Sequence, residues 1–235
     1  MPKKDGNSGP SAVVLFSAGL DSTYNLLKAL EKFTVRLALT FDYGQKAAVR
    51  EIERAALMAK HFSVPHKVIS LPWFTEFTKT SLLGKQDVPS GRDIEIDNLE
   101  TSRASAKNVW VPNRNGILLN VAAGFAEGLS ADFVIPGFNI EEAQTFADNT
   151  DDFLKALDHS WSFSTNSQVK TYCFSTALNK TQIVAEGKKL NLPLSMVWPC
   201  YLSGKTWCGS CESCQRFKRA VEANGFSYAK LKEGS

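Results

Sequence analysis

Residues 12–30 read AVVLFSAGLDSTYNLLKAL, in which a short apolar run passes through small and hydroxylated residues into a second apolar pattern. The run Ala12–Phe16 is too short for a helix and predicts a buried strand. The apolar spacing after it predicts a helix that Asp21 or Ser22 caps. A helix N-terminus carries unpaired N–H groups and partial positive charge. The junction between strand and helix therefore predicts an anion-binding loop.

The stretches after this junction continue the alternation of strand and helix. Val35–Phe41 and Val64–Leu71 are strand candidates, and the apolar spacing over 47–61 between them predicts a helix. Such an alternation predicts an α/β fold with an open parallel sheet. The further predicted elements are a helix at Ile117–Ala126, a strand at Asp132–Pro136, a helix capped by Asn179 at Asn179–Leu190, and a helix at Glu212–Ala223. The polar segment 72–109 predicts a surface loop, a lid or an interface arm.

Length and composition bound the domain organisation and the partners. The chain has 235 residues, 43% of them hydrophobic, and a formal charge of +3. We expect a disordered tail at 1–11, an α/β domain that contains the anion-binding loop at 12–198, and a cysteine-rich knuckle with a C-terminal helix at 199–235. So small a charge does not favour nucleic-acid binding. No stretch approaches the ~20 apolar residues of a membrane helix, and we expect a cytoplasmic protein.

Four of the five cysteines lie close together near the C-terminus. Cys200, Cys208, Cys211 and Cys214 give the spacing C-x7-C-x2-C-x2-C, whereas Cys173 stands apart. Four thiolates suit a tetrahedral Zn²⁺ with no position left for water, so the pattern favours structural zinc. An iron–sulfur cluster is the alternative, since four cysteines also hold such clusters. For Cys173 we expect a small buried apolar role.

The residues of the anion-binding loop divide by their chemistry. Gly19 lets the backbone approach a ligand closely, and the hydroxyl groups of Ser17 and Ser22 can donate hydrogen bonds. Asp21 would repel phosphate unless Mg²⁺ lies between them or the carboxylate is used in loop hydrogen bonds. The sequence is neither G-x-x-x-x-G-K-[ST] nor G-x-G-x-x-G. The loop thus predicts a phosphate site of another type.

The loop resembles the Ser-Gly-Gly-x-Asp-Ser motif of the N-type ATP pyrophosphatases, the PP-loop superfamily, whose fold is Rossmann-like (adenine nucleotide alpha hydrolase-like). Ala18 replaces the second residue of that motif, and a left-handed backbone there would cost about 1 kcal/mol. Combined with the four cysteines, the chain resembles the QueC family of 7-cyano-7-deazaguanine synthases over about residues 12–225. The other stretches that carry this resemblance are FDYGQ at 41–45, VPNRN at 111–115 with Asn113 in place of Gly, and NKTQIV at 179–184.

The resemblance implies an ATP-dependent carbon–nitrogen ligase that adenylates 7-carboxy-7-deazaguanine, releases pyrophosphate and AMP, and uses ammonia to form the nitrile. It implies ATP, Mg²⁺ and structural Zn²⁺ as cofactors. The residues implied for ATP are Ser17, Ala18, Gly19, Leu20, Asp21 and Ser22, together with Phe41 and the strand-end backbone of Thr40, Phe41 and Asp42. The residues implied for catalysis are Asp21, Ser22, Lys180 and Arg114. The residues implied for the deazaguanine are Arg114, Gly137, Phe138, Asn139 and Glu142.

One segment departs from the family pattern. Residues 140–152 lack the family's Ser-Gly-Tyr-Pro-Asp stretch, and Glu142 and Asp148 are candidates to replace its contacts with a guanine edge. A diverged relative could transfer the activated acid to another amine, such as a protein N-terminus, or stop at the amide. A tRNA-modifying PP-loop enzyme and a non-catalytic nucleotide-binding module are further alternatives. We expect a homodimer, with 72–109 available for its interface.

Overall fold

A computed structural model of the protein describes residues 9–91, 96 and 107–234. Most of the predicted N-terminal tail, residues 1–8, lies outside the described residues, as do 92–95 and 97–106 of the polar segment. Ser11, which we assigned to the tail, already belongs to the first strand. Its backbone N–H donates to Asp132 Oδ2 at 2.9 Å.

A five-stranded parallel sheet forms the centre of the fold, in the order β3-β2-β1-β4-β5. The fold class predicted from the alternation is therefore confirmed. Val14 lies opposite Ala38 on one side and Ile135 on the other, and all three are fully buried. The strands are β1 at Ser11–Leu15, β2 at Thr34–Asp42, β3 at His66–Ser70, β4 at Phe133–Ile135 and β5 at Lys170–Thr171.

The helices agree with the predicted ones where the apolar spacing is long enough. Asn179 caps its helix through a capping box with Gln182, as expected. The predicted cap of the first helix is wrong, because Gly19 is the N-cap and neither Asp21 nor Ser22 caps it. The helices are α1 at Leu20–Lys32, α2 at Ala48–His61, α3 at Phe74–Phe77, α4 at Arg114–Gly128, α5 at Ile140–Ala143, α6 at Asp151–Ser164, α7 at Lys180–Lys189, α8 at Glu212–Ala223 and α9 at Tyr228–Glu233.

The strand order reverses at β1, which has β2 on one side and β4 on the other. Crossovers that leave in opposite directions open a crevice at the carboxyl ends of these strands, where open α/β sheets bind ligands. The end of β4 comes very close to the start of α1, since a Cβ at Gly137 would lie 2.6 Å from the Ser22 backbone nitrogen. Glycine is therefore required at residue 137. None of the described helices has the length and apolarity to cross a membrane.

The described part of segment 72–109 packs against the rest of the protein. Leu82 and Val88 are buried in the core, and the Leu82 carbonyl accepts a hydrogen bond from the Lys46 N–H at 2.8 Å. Ser90 forms an isolated antiparallel bridge with Cys211. This part of the segment thus covers the region between α2 and the cysteine cluster.

Candidate active site

A cavity of about 290 Å³ opens at the carboxyl ends of β1, β2 and β4. The structure brings most of the predicted ligand residues to its wall: Ser17, Gly19, Leu20, Asp21, Ser22, Phe41, Arg114, Gly137, Phe138, Glu142 and Lys180. Four others, Ala18, Thr40, Asp42 and Asn139, do not line it. The pleat of the strands and the path of the loop decide which of these predicted residues line the cavity and which point elsewhere.

The loop between β1 and α1 is held by its own hydroxyl groups. Ser22 Oγ donates to the Gly19 carbonyl at 3.2 Å and lies 3.3 Å from Ser17 Oγ, which accepts from the Gly19 N–H at 3.4 Å. Ala18 has φ = 58°, in the left-handed region, and is fully buried. Its carbonyl accepts the Trp198 N–H at 2.9 Å. A left-handed backbone costs an alanine about 1 kcal/mol. The hydrogen bond from the segment that leads into the cysteine cluster thus holds Ala18 in this strained conformation.

Lys180 connects the loop to α5. Its Nζ lies 2.6 Å from Asp21 Oδ2 and 3.0 Å from Glu142 Oε1. Burial lowers the pKa of Lys180, but the two carboxylates outweigh burial, so the pKa is raised and the ammonium group stays protonated. Asn139, the N-cap of α5, does not line the cavity but donates from Nδ2 to Asp21 Oδ2 at 3.1 Å.

Asp21 has one carboxylate oxygen that lacks a partner. Burial raises the pKa of Asp21 in spite of the attraction of Lys180. Oδ1 is buried and forms no hydrogen bond with any residue the structure describes. An unsatisfied buried carboxylate oxygen is unfavourable, which indicates a ligand at this atom.

Arg114 stands at the first position of α4, after Asn113 in a left-handed conformation. Asparagine tolerates this conformation better than most residues, and Gly116 leaves room for the Asn113 side chain, since a Cβ there would lie 2.2 Å from Asn113 Oδ1. Arg114 Nε donates to Asn115 Oδ1 at 3.1 Å. Within the described part of the chain no carboxylate forms a salt bridge with Arg114, so its guanidinium is available to an anion.

The groups around Arg114 keep it charged. Burial lowers the pKa of its guanidinium, but Tyr43, Asp148 and Glu142 outweigh burial and raise it. Burial also raises the pKa of Asp148, against the attraction of Arg114. Near these groups on the cavity wall, the rings of Trp110 and Phe146 stack with centroids 5.8 Å apart and planes 13° apart.

Strand β2 contributes alternate residues to the cavity, as the pleat requires. Leu39 and Phe41 line it, as does Tyr43 directly after the strand. Thr40 faces the other side, where its hydroxyl donates to the Phe16 carbonyl and contacts His66 Nε2. Asp42 Oδ1 accepts the Gly44 N–H at 3.1 Å and so caps the following turn. Neither side chain reaches the cavity, and the backbone contact with ATP that we expect at this strand end stays a prediction.

An ion-pair cluster that the motifs did not indicate joins three helices at the edge of the cavity. Glu141 Oε2 lies 2.8 Å from Arg216 and 2.6 Å from Arg219, and its Oε1 accepts the Lys180 N–H at 2.8 Å. Arg216 also pairs with Glu212 at 2.8 Å. The pairs fix α8, and with it the cysteine cluster, against the N-terminus of α7.

The charged residues on the cavity wall are mostly acidic. Among the residues that the structure describes, six carboxylates line the wall, Asp21, Glu51, Glu141, Glu142, Asp148 and Glu212, against the three cations Arg114, Lys180 and Arg216. An acidic wall repels a polyphosphate unless cations enter with it. The cavity therefore suits an anion that arrives together with a metal ion.

The four clustered cysteines are grouped so that they could hold a metal ion. One sulfur from each lies within 4.8 Å of the others, close to the ~3.8 Å separation of sulfurs around tetrahedral Zn²⁺ with Zn–S near 2.3 Å. Cys200 Sγ accepts the N–H groups of Leu202 and Cys208, both at 3.4 Å. Gly209 has φ = 80°, which allows the turn between the cysteines.

Cys173 takes no part in the cysteine cluster. It is half-buried, lies 3.5 Å from Asn25 Oδ1 and 3.7 Å from the Phe138 carbonyl, and burial raises the pKa of its thiol. The surroundings of Cys173 are therefore more polar than we expected from the sequence.

The fold and the site define the class of the protein: an open parallel α/β protein with a helix N-terminus and hydroxylated loop at the switch point of its sheet, and with four cysteines grouped so that they could hold a metal ion. Among known families, the model described as "Queuosine biosynthesis protein QueC" matches residues 11–225. The chain belongs to this family, which confirms the resemblance carried by its motifs.

Three curated relatives that match nearly the whole chain are each named 7-cyano-7-deazaguanine synthase. The protein of Bdellovibrio bacteriovorus is 54% identical over 88% of this chain and 91% of its own length. That of Desulforamulus reducens is 46% identical over 92% and 96%. That of Methanosarcina mazei is 43% identical over 91% and 94%.

Proposed function

We propose that the protein converts 7-carboxy-7-deazaguanine and ammonia to 7-cyano-7-deazaguanine. A carboxylate oxygen attacks the α-phosphorus of ATP and pyrophosphate leaves. Ammonia then displaces AMP to give the amide. A second ATP adenylates the amide oxygen, and loss of AMP and a proton leaves the nitrile. The names of the relatives support this reaction, and the observation that carries it is the cavity in which the loop, Lys180 and Arg114 converge.

The phosphates of ATP belong, on this proposal, at the N-terminus of α1. The helix end and the Ser17 and Ser22 hydroxyl groups offer donors there. Phe41 lines the cavity at the end of β2 and supplies an apolar surface for adenine. Lys180 is positioned to exchange its ion pair with Asp21 for an ion pair with a phosphate oxygen. Fixed charges directed at developing phosphate charge are the main source of rate enhancement in such transfers.

Mg²⁺ is the metal ion we propose to accompany ATP. Asp21 and Glu142 would hold it, because Asp21 Oδ1 lacks a hydrogen-bond partner among the described residues and Mg²⁺ prefers carboxylate and phosphate oxygens. The ion would supply charge neutralisation to the phosphates and to the departing pyrophosphate. It would also offset the acidic excess of the cavity wall.

The deazaguanine belongs on the side of the cavity that Arg114 and Asp148 share. Arg114 suits the substrate carboxylate, since a guanidinium pairs with it through two parallel hydrogen bonds. Of the two carboxylates we considered for the guanine edge, Glu142 is paired with Lys180, so we assign the edge to Asp148. The stacked rings of Trp110 and Phe146 and the buried Phe138 provide apolar surface for the base.

Zn²⁺ is the metal we propose for the four cysteines. Their thiolates would fill all four positions of a tetrahedral ion, which leaves none for a substrate and gives the ion a structural role. Cys211 is the N-cap of α8, the helix that carries Arg216. A bound ion would therefore hold this side of the cavity in place.

The reaction is tested by incubating the protein with ATP, Mg²⁺, ammonia and 7-carboxy-7-deazaguanine and analysing the products by mass spectrometry. We expect the nitrile, with two AMP for each nitrile formed. Accumulation of the amide alone would show that the second adenylation does not occur. AMP release only with a different acid would contradict the proposed substrate.

A further inference from the structure

Two of the six carboxylates on the cavity wall take no part in the salt bridges formed by the described residues. Asp21 and Glu142 pair with Lys180, and Glu141 and Glu212 pair with Arg216. The remaining two are Glu51 and Asp148. Asp148 lies in the 3-10 turn Ala147–Asn149, where its Oδ1 accepts from Asn149 Nδ2 at 3.1 Å. Glu51 has no place in the reaction described so far.

Glu51 is fixed in position by a buried glutamine. It stands in the first turn of α2, and its Oε2 accepts from Gln45 Nε2 at 2.8 Å. Gln45 is itself held by the backbone at both ends, because Nε2 also donates to the Phe41 carbonyl at 2.9 Å and Oε1 accepts the Tyr43 N–H at 3.0 Å. The other oxygen, Glu51 Oε1, forms no hydrogen bond with any described residue. The carboxylate is therefore fixed in position through Oε2, and Oε1 is left to contact a ligand.

The surroundings of Glu51 increase its affinity for a proton. Burial raises the pKa of its carboxyl, against the Gln45 hydrogen bond and the attraction of Arg114 on α4, while Asp42 at the end of β2 adds repulsion. Tyr43, the other titratable group that faces it, stays neutral because burial raises its own pKa as well. A carboxyl group whose pKa is shifted towards neutral pH is better suited to accept a proton than an ordinary exposed one.

The proposed reaction needs a base that the phosphate loop does not supply. Ammonia is almost wholly ammonium at neutral pH, and ammonium has no lone pair with which to attack a carbonyl carbon. The cation is attracted into an acidic cavity, but it must lose a proton there. Glu142 is a poor acceptor, because Lys180 outweighs the opposing effect of burial and lowers its pKa. Asp21, whose pKa burial raises, is the residue we assign to Mg²⁺.

We propose that Glu51 is the general base that deprotonates ammonium beside the acyl adenylate, an assignment that rests on the proposed function. One proton passes from ammonium to Glu51 Oε1. The nitrogen lone pair then forms the C–N bond of the amide, the bond from carbon to the phosphate oxygen breaks, and AMP leaves with its electron pair. The second proton lost from nitrogen goes to solvent, and Glu51 returns its own proton to solvent before the next cycle.

The test compares two amines that differ in whether they need a base. Hydroxylamine is largely neutral at neutral pH, so it can attack the acyl adenylate without prior deprotonation and give the hydroxamate. The variant is Glu51→Gln, whose amide oxygen can still accept from Gln45. The matched control is Glu53→Gln on the same helix, since the Glu53 side chain is 47% exposed and does not line the cavity. The readout is the ratio of kcat/KM for ammonia to kcat/KM for hydroxylamine, measured by AMP release as a function of pH.

We expect Glu51→Gln to lower this ratio by about 100-fold or more, the usual contribution of a general base. The deficit should shrink as the pH rises and free ammonia becomes more abundant, whereas Glu53→Gln should keep the wild-type ratio. A ratio unchanged in Glu51→Gln, or lowered equally at every pH, would overturn the assignment. Absence of AMP release by the wild-type protein with both amines would instead contradict the proposed function, and the role of Glu51 with it.

Discussion

Replacing Lys180 by methionine should destabilise the protein strongly, because it leaves Asp21 and Glu142 without the cation that neutralises them. The side chains of Lys180 and Asp21 are only 7% and 13% exposed, and their ion pair is 2.6 Å long. Removing one partner of a buried pair costs about 3–5 kcal/mol. Glu142 is 34% exposed, so solvent screens its charge, and its unpaired carboxylate adds little to this cost. We expect Lys180→Met to lower the free energy of unfolding by about 3–5 kcal/mol, a large share of the usual 5–15 kcal/mol.

The pH dependence gives this loss a signature that simple loss of packing would not produce. In the wild-type protein the pKa of Lys180 is raised, so its contribution to stability is fully present below the unfolded pKa and is lost only in alkaline solution. Without Lys180, the pKa values of the buried carboxyl groups rise, and the folded state binds more protons than the unfolded state. The stability of Lys180→Met should therefore increase as the pH falls from about 7.5 to about 5.5.

Urea denaturation at both pH values measures the effect, with Lys180→Met/Asp21→Asn as the compensating variant. The second substitution removes the uncompensated charge and should recover part of the lost stability. A Lys180→Met protein within about 1 kcal/mol of the wild type, with no dependence on pH, would refute Lys180 as a buried counter-ion.

Three further substitutions test other parts of the account. Ala18→Gly should change the free energy of unfolding by less than about 1 kcal/mol, because relief of left-handed strain (about 1 kcal/mol) offsets the added freedom of the unfolded chain (about 0.4–1 kcal/mol). The control Ala29→Gly, inside α1, should destabilise by about 1 kcal/mol in the same urea experiment. Cys211→Ala should lower metal content, by elemental analysis, and thermal stability together, since binding energy here is folding energy; one metal per chain would contradict this. Asp148→Asn should lower kcat/KM about tenfold or more for 7-carboxy-7-deazaguanine but less for an analogue without the 2-amino group, and an equal loss for both would contradict the edge contact.

Local sequence patterns predicted the parts of the fold that depend on neighbours in the chain. The apolar run before residue 17 and the 3.6-residue spacing after it predicted β1 and α1, and Asn179 with Gln182 predicted the start of α7. Strand β5 has two residues and α9 has six, too few for either period to appear. The cap at Gly19 was missed because glycine caps a helix through its backbone conformation and leaves no side-chain signal.

Site residues within one motif could be predicted from the sequence. Contacts between residues of different elements could not. Lys180 and Asp21 lie 159 residues apart, and their contact follows from the strand order, which the sequence leaves open. At the strand end Thr40–Asp42 we expected a backbone contact with ATP, and the structure adds that the side chains of Thr40 and Asp42 do not line the cavity whereas Tyr43 does. Arg216 belongs to the cysteine segment, and only the folded chain places it beside Glu141.

The central claim is that an oxygen of the substrate acid attacks the α-phosphorus of an ATP held by the loop at Ser17–Ser22. Incubating the protein with ATP, ammonia and 7-carboxy-7-deazaguanine labelled with oxygen-18 in its carboxylate, followed by mass spectrometry of the products, tests it directly. Both labelled oxygens should be recovered in AMP, one in each of the two molecules released for every nitrile. Label found in water, in pyrophosphate or in inorganic phosphate would contradict the account.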